Sequence, residues 1–317
     1  MPKPIVVVGS VNLDLVCTAE RIPVPGETVS GTNFQTFPGG KGANQAVAVA
    51  RLGYPVSMVA KVGDDEFGNG LRNGLQEAGV DVRKVATAKR TASGVALISL
   101  DRKGQNSITV VPGANGKLLP RDLEKALPLL RSAGMILAQL EVPIETVEYL
   151  SAAAHRLQVP LMLDPAPARQ LPGKLLRQVA YLTPNESETC TLCNLNGREL
   201  NAATVAEFAQ HLQSMGATNV IIKMGKDGAY VVGVNGLRKM VPAFKVKAVD
   251  STAAGDAFNG GLAVALMRGK SLDEAARFGA AVAALSVTRM GAQPAMPTAR
   301  EVASLLKRHE KVLLRGA

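Results

Sequence analysis

An α/β fold, with a mostly parallel sheet flanked by helices and a small β-sheet beside it, follows from three features of the 317-residue sequence. From about residue 134 onward, short β-rich apolar runs alternate with helical patterns, the signature of βαβ units. Those runs are continuously apolar, as strands covered by helices on both faces must be. The first third, after its opening strand, is instead alternating and turn-rich, which suits a second, smaller sheet.

Ile5 to Ser10 reads as the first strand. Asn12 to Glu20, Gly26 to Phe37, Gly94 to Asp101 and Ser107 to Val111 are interrupted segments assigned to the small sheet, and hinged accessory sheets commonly act as lids. Gly134 to Leu140, Pro160 to Asp164, Ala180 to Thr183 and Asn219 to Met224 are the main-sheet strands, with helices at Ile144 to Leu157 and Thr204 to Met215 between them. The chain ends in three helices, Gly255 to Met267, Leu272 to Val287 and Thr298 to Leu314, the last basic and amphipathic. With no internal repeat, low-complexity tract or long linker, residues 1–317 are expected to form one domain, its lid drawn from segments within about 12–37 and 94–111.

Composition narrows the function. Hydrophobic residues at 47% and charged residues at 20% describe a globular chain and exclude extended disorder. The longest apolar runs stop well short of the roughly 20 residues a membrane span needs. Met1-Pro2-Lys3-Pro4 leads straight into the first strand with no small-residue cleavage site, so a cytoplasmic location is expected. Three cysteines cannot make a disulfide framework, and Cys190 with Cys193 lacks a second pair or a nearby His for zinc, leaving buried or half-buried thiols. A net charge of +10 suits either a nucleic acid or small anionic phosphates. Scattered basic residues, 3% aromatics and no Trp argue against nucleic acid.

Three clusters carry chemistry. Ala253-Ala254-Gly255-Asp256 leads into an apolar helix, where small residues let backbone approach a ligand and the helix's unpaired N–H groups form an anion hole. Asp256 has two readings there, an N-terminal cap or a base that takes a proton from an acceptor hydroxyl. Phe37-Pro38-Gly39-Gly40-Lys41-Gly42-Ala43-Asn44-Gln45 also runs from a Gly-rich turn into a helix, without the spacing of a Walker A loop. Lys41 at a helix start is disfavoured by the dipole, and a ligand offering hydroxyls or negative charge would explain it. Thr183-Pro184-Asn185-Glu186-Ser187-Glu188 follows a strand: its residues are ordinary capping chemistry, or Asn185 and Glu188 order water and Mg²⁺ near phosphates at a strand's C-terminal end. Asn12 and Asp14 alternate with apolar residues, so both face one side, suited to vicinal hydroxyls or to a turn. Glu141, just past a strand, is similarly placed.

Together these segments resemble the ribokinase-like family of carbohydrate and nucleoside kinases over nearly the whole chain. Gly39-Gly40-Lys41-Gly42-Ala43-Asn44-Gln45-Ala46 is similar to its N-terminal signature and Asp250 to Phe258 to its C-terminal one. The resemblance implies a Rossmann-like domain with a β lid that also forms a homodimer interface, and transfer of the ATP γ-phosphate to the 5-hydroxyl of D-ribose. Deoxyribose, another small sugar or a nucleoside is the alternative acceptor, and a non-catalytic sugar- or nucleic-acid-binding protein the remaining one.

The residue roles it implies are these. Asp256 is the base, and the amides of Ala253, Ala254, Gly255 and Asp256 form the anion hole. Asn12, Asp14, Gly40, Lys41, Asn44 and Glu141 hold the sugar. Asn185 and the loop Lys223-Met224-Gly225-Lys226-Asp227-Gly228 contact the nucleotide, with Glu188 toward Mg²⁺. An activating monovalent cation, K⁺, falls to Asp250, Thr252, Ser286, Arg289, Gly291 and Ala295, several through carbonyls. Three departures stand out: Ala253 replaces a common Gly, which is tolerable where its φ is negative, Ala280 falls where a His or Asn meets the adenine, and Asp164 replaces a common Asn at a strand end.

Overall fold

The computed structural model describes residues 2–194 and 199–315. The chain opens with β1 (Ile5–Val8), leaves it for β2 (Asn12–Ala19) and β3 (Gly31–Gly39), then continues through α1 (Lys41–Arg51), β4 (Val56–Gly63), α2 (Glu66–Glu77) and β5 (Asp81–Ala88). A second excursion, β6 (Gly94–Leu100) and β7 (Asn106–Val111), precedes the short helices α3 (Pro120–Glu124) and α4 (Leu127–Ser132). Strand and helix then alternate through β8 (Met135–Ala138), α5 (Ile144–Leu157), β9 (Leu161–Leu163), α6 (Gly173–Leu176), β10 (Tyr181–Leu182), α7 (Glu186–Cys193), α8 (Val205–Ser214) and β11 (Asn219–Lys223). The hairpin β12 (Ala229–Val232) and β13 (Arg238–Val241) is followed by α9 (Ala254–Met267), α10 (Leu272–Ser286) and α11 (Ala299–Arg315).

Nine strands form the main sheet in the order β13-β12-β11-β10-β9-β8-β1-β4-β5. It is parallel from β5 to β11, and the β12–β13 hairpin closes one edge antiparallel. Every residue of β1 is buried. Successive side chains point to opposite faces, so Ile5 and Val7 enter one apolar core and Val6 and Val8 the other. The first core holds α1, α9 and α10, while α3, α4, α5 and α8 supply the second. The chain goes from β1 to β4 on one side and returns to β8 on the other, so strand order reverses between β1 and β8. Ligands of such sheets bind beyond the strands' C-terminal ends at that reversal.

The main sheet is wider than the sequence pattern indicates, because β4 and β5 lie in the first third of the chain. β4 is buried throughout, yet Lys61 interrupts its apolar run. That lysine is accommodated by donating to the Lys117 carbonyl at 2.8 Å and pairing with Asp122 at 2.7 Å. β5 is an edge strand with only Val85 and Ala88 buried, so it reads as polar.

The small sheet has the order β3-β2-β6-β7, with β3 running to Gly39, two residues past Phe37. β2 and β6 run parallel, and the other pairs antiparallel. Ala96 pairs with Val110 and Ile98 with Ile108, placing four apolar residues on one face. Leu97 and Val111 alternate onto the opposite face and are exposed, as is Phe34 on β3.

Candidate active site

A cavity of about 450 Å³ lies where the strand order reverses, roofed by Ala96, Ile98, Ile108 and Val110 of the small sheet. Its floor comes from the start of β2, the segments after β8 and β9, the end of β11 and the turn after it, and the N-termini of α1, α7 and α9. Most of the residues singled out in the sequence converge there: Asn12, Asp14, Gly40, Lys41, Asn44, Glu141, Asn185, Glu188, Lys223, Gly225, Thr252 and Ala253 to Asp256.

Asp256 sits in the first turn of α9 and is 4% exposed. It does not cap the helix, since the N-cap is Ala253. Its Oδ2 accepts from Asn44 Nδ2 at 3.0 Å and its Oδ1 from Gln45 Nε2 at 3.1 Å, both from α1. The two helices approach closely because Gly260 has no side chain, and a Cβ there would lie 2.6 Å from Ala48 Cβ. Burial pushes the Asp256 carboxyl up to about 6, with Asp164 adding to the rise and Lys41, Asn44 and Gln45 opposing it. It is thus ionised at neutral pH and close to the range suited to a general base.

Ala253 departs from expectation. Its φ is +58°, in the left-handed region, where an L-residue costs about 1–2 kcal/mol. This conformation turns the chain into α9. Of the helix's first N–H groups, that of Ala254 bonds to Ser251 O at 3.2 Å and that of Ala257 to Ala253 O at 2.9 Å. Gly255 and Asp256 carry the two donors left for an anion.

On the other side of Asp256 lie the hydroxyl-suited groups. Asn12 and Asp14 occupy alternate positions on β2 and share the cavity face. Asn12 Oδ1 accepts from Asn115 Nδ2 at 2.7 Å, which leaves the Asn12 amide nitrogen to donate. Burial, with Glu141 and Asp256 adding and Lys41 opposing, pushes Asp14 up to about 6. Glu141 Oε2 accepts from Ser10 Oγ and from the Lys41 backbone N–H at 3.0 Å, so an acid 100 residues away caps α1. Gly40 turns the chain at φ +87°, and a Cβ there would strike the Asn12 backbone nitrogen at 2.7 Å. Burial opposes the charge of Lys41, but Asp256, Asp164, Glu141 and Glu188 outweigh it and hold the ammonium above the usual lysine range. Asn44 is 5% exposed and its Oδ1 has no hydrogen-bond partner among the described residues.

Asn185 and Glu188 form the capping box of α7, with Asn185 Oδ1 accepting from the Glu188 N–H at 2.9 Å and Glu188 Oε2 from the Asn185 N–H at 2.7 Å. Both also line the cavity, so the capping and ligand readings coexist. Beyond Lys223 and Gly225, the expected loop contributes less. Met224 is 2% exposed and packs in the core, while Lys226, Asp227 and Gly228 lie outside the cavity lining. Of the positions assigned to a monovalent cation, Asp250 joins two others: its Oδ1 accepts from Thr252 N and Oγ1 at 2.9 and 2.6 Å, and its Oδ2 from Gly291 N at 2.8 Å. Arg289 pairs with Glu301, the Ser286 hydroxyl donates to Ala283 O at 2.8 Å, and Ala295 is buried. Cys193 is buried, which pushes its thiol up to about 12, and Cys190 is half-buried.

Asn115, and the partnerships of Asp164 with Gln45 and with Lys223, are parts of the site that local patterns do not single out. Each works through a contact distant in sequence, 119 residues for Gln45 to Asp164 and 59 for Lys223 to Asp164.

Residues 3–299 match the pfkB family carbohydrate kinases, and the chain belongs to that family. Among its relatives, the ribokinase of Bacillus subtilis is 43% identical over 305 residues, covering 96% of this chain and 99% of that protein. The deoxyribokinase of Salmonella typhi is 35% identical, covering 96% and 99%. The structure of Arabidopsis thaliana ribokinase complexed with ribose and ATP superposes with a TM-score of 0.91 at 35% identity, covering 97% of this chain and 99% of that one.

Proposed function

We propose that this chain transfers the γ-phosphoryl group of ATP to O5 of D-ribose, giving D-ribose 5-phosphate and ADP, with Asp256 as the general base. The observation that carries the reading is the position of the Asp256 carboxylate, clamped by Asn44 and Gln45 between a hydroxyl-suited wall and two free helix N–H groups. Asn12, Asp14, Gly40, Lys41, Asn44 and Glu141 hold the sugar, whose hydroxyl satisfies the unpartnered Asn44 Oδ1. Asp256 takes the proton of the attacking hydroxyl, and the N–H groups of Gly255 and Asp256 neutralise charge growing on the transferred group. Asn185, Lys223 and Gly225 contact the phosphates. The small sheet is a lid whose apolar inner face excludes water, suppressing ATP hydrolysis. Its exposed outer face, with Phe34, Leu97 and Val111, forms the interface of a homodimer.

Six carboxylates line the cavity, Asp14, Glu141, Asp164, Glu186, Glu188 and Asp256, against the ammonium groups of Lys41 and Lys223. A triphosphate enters so negative a space only with its charge masked, which fits Mg²⁺. Among the described residues no group of three ligating side chains stands close enough to chelate a metal. Glu188 and Asn185 would hold its water shell. When bound, Mg²⁺ supplies charge neutralisation across the phosphates. K⁺ would lie at the loop that Asp250 ties to Thr252 and Gly291, where Ser286, Arg289 and Ala295 would contribute main-chain oxygens, the side chains of Ser286 and Arg289 being engaged elsewhere. No helix among the described residues is long and apolar enough to cross a membrane, and we place the enzyme in the cytoplasm with its substrates.

A deoxyribose acceptor is the second reading, favoured by the deoxyribokinase relative and centred on Asn12 as the reader of a 2-hydroxyl. A coupled assay of ADP release over a sugar panel, with and without K⁺, decides. Ribose-dependent turnover raised by K⁺ is expected. Turnover of no sugar refutes the kinase reading, and preference for deoxyribose replaces the first acceptor with the second.

A further inference from the structure

We propose that Asp164 is a positioning residue for phosphoryl transfer: one carboxylate oxygen holds the Lys223 ammonium beside Gly255, and the other fixes the Asp256 carboxylate through Gln45. The proposal rests on the kinase reading above.

Asp164 follows β9 and is 2% exposed. Its Oδ1 lies 2.8 Å from Lys223 Nζ, and its Oδ2 accepts from Gln45 Nε2 at 3.1 Å. That same nitrogen donates to Asp256 Oδ1 at 3.1 Å. A primary amide carries two hydrogens, so each goes to one carboxylate. Gln139 Nε2 donates to Gln45 Oε1 at 2.7 Å, which determines the end of the amide that meets the acids. Turning Gln45 over would break all three bonds. The base is thereby oriented by a chain of contacts that ends at Asp164.

The other arm ends at the phosphate side. A Cβ built on Gly255 would lie 3.3 Å from Lys223 Nζ, and Asp164, Lys223 and Gly255 all line the cavity. An ion pair drawn out of water is not stabilising by default, so its placement calls for another reason. The reason is reach: an ammonium on a flexible four-carbon stem is held in one place, next to the N–H groups of Gly255 and Asp256 where charge develops. Asp164 neither gives nor takes a proton. The hydroxyl proton goes to Asp256. The charged groups around Asp256 are Lys41, Asp14 and Asp164, with Glu141, Glu188 and Lys223 beyond them.

The test measures kcat, both KM values, melting temperature and the pH profile of kcat/KM for Asp164→Asn, Lys223→Met and the double variant, on the sugar the wild type turns over best. Each single change is expected to lower kcat about 100-fold with sugar KM within about threefold of wild type. The double variant should be no slower than the poorer single, because the pair acts as a unit. Asp164→Asn should also move the acid limb to lower pH, since a negative neighbour of Asp256 is removed, while a purely structural role would not lower kcat with sugar KM and melting temperature intact. Multiplying losses in the double variant, or a raised sugar KM with kcat intact, overturns the proposal. If a single change unfolds the protein by leaving one charge unpaired, the double variant, which leaves none, decides: kcat within about threefold of wild type at an unchanged melting temperature overturns it. Asp256→Asn is assayed alongside. A wild type that phosphorylates no sugar overturns both readings, whereas an active wild type with equally active Asp164 variants overturns this one alone.

Discussion

Replacing Asp256 by Asn separates what its carboxylate does for the reaction from what it does to the fold. Asp256 is 4% exposed, and burial raises its pKa from 3.8 to about 6, with Lys41, Asn44 and Gln45 offsetting part of the rise. A carboxyl whose folded pKa lies above its unfolded one binds its proton more tightly in the native state. Its contribution to stability is therefore lost as pH rises from the unfolded value through the folded one. The deficit amounts to about 3 kcal/mol at pH 8 and about 1.5 kcal/mol at pH 5. Asn removes the charge while keeping the shape. Its oxygen accepts from Gln45, which Gln139 holds in place. Its nitrogen then faces Asn44, whose unpartnered Oδ1 becomes the acceptor if that amide turns over. Asp256→Asn is thus expected to lower kcat by about 10²–10⁴-fold. It should also raise the unfolding free energy in urea by up to about 3 kcal/mol at pH 8 and by about half that at pH 5. A kcat within about tenfold of wild type refutes the base assignment, and a stability gain no larger at pH 8 than at pH 5 refutes the electrostatic argument.

The pH profile of the wild type should show an acid limb near pH 6, steeper than one proton, because Asp14 and Asp256 are both pushed up to about 6 and both lose charge below it. Ala253→Gly removes a methyl from a residue at φ +58° and should stabilise the protein by about 1 kcal/mol in denaturant titration with activity retained. Asn12→Ala should raise KM for ribose roughly tenfold in the ADP-release assay and change KM for deoxyribose less, if Asn12 reads the 2-hydroxyl. Gly260→Val drives a side chain into Ala48, 2.6 Å from a Cβ at that position, and is expected to cost about 1–3 kcal/mol in thermal unfolding and to lower kcat more than it raises either KM, because α9 carries Asp256 away from Asn44 and Gln45.

The elements that read clearly in the sequence are those whose burial is uniform. β1 is four apolar residues buried on both faces, and β2 announces itself by the alternation that puts Asn12 and Asp14 on one side. β4 is equally buried but carries Lys61, whose partners Lys117 and Asp122 come from a later segment, so its apolar run looks broken. For Asp256, local reasoning favours a helix cap over a base. What separates them is the pair of donors from Asn44 and Gln45, more than 200 residues away in sequence. The φ of Ala253 is not legible in the sequence for a related reason: alanine's own preference is for negative φ, whereas here it is +58° at the N-cap of α9.

The costs in this fold are gathered at one place. Ala253 is held left-handed, Lys41 stands at a helix start that disfavours it, Asn44 Oδ1 is buried without a partner, and two carboxyls are raised to about 6. None of these helps the chain fold. In the proposed reaction each would become favourable with a ligand: the left-handed turn would expose two N–H groups to a phosphate, Lys41 and the free oxygen would meet hydroxyls, and a carboxyl near 6 would accept a proton readily. The scaffold sustains them because the surrounding parts are not compromised. β1 and the inner face of α9 are buried apolar surface, and the polar residues that enter this core, Gln45, Gln139, Asp164 and Asn115, bond mainly to one another and to the site. Strain concentrated in this way is what pre-organisation requires, since a site relaxed without its ligand would have to be distorted to bind it.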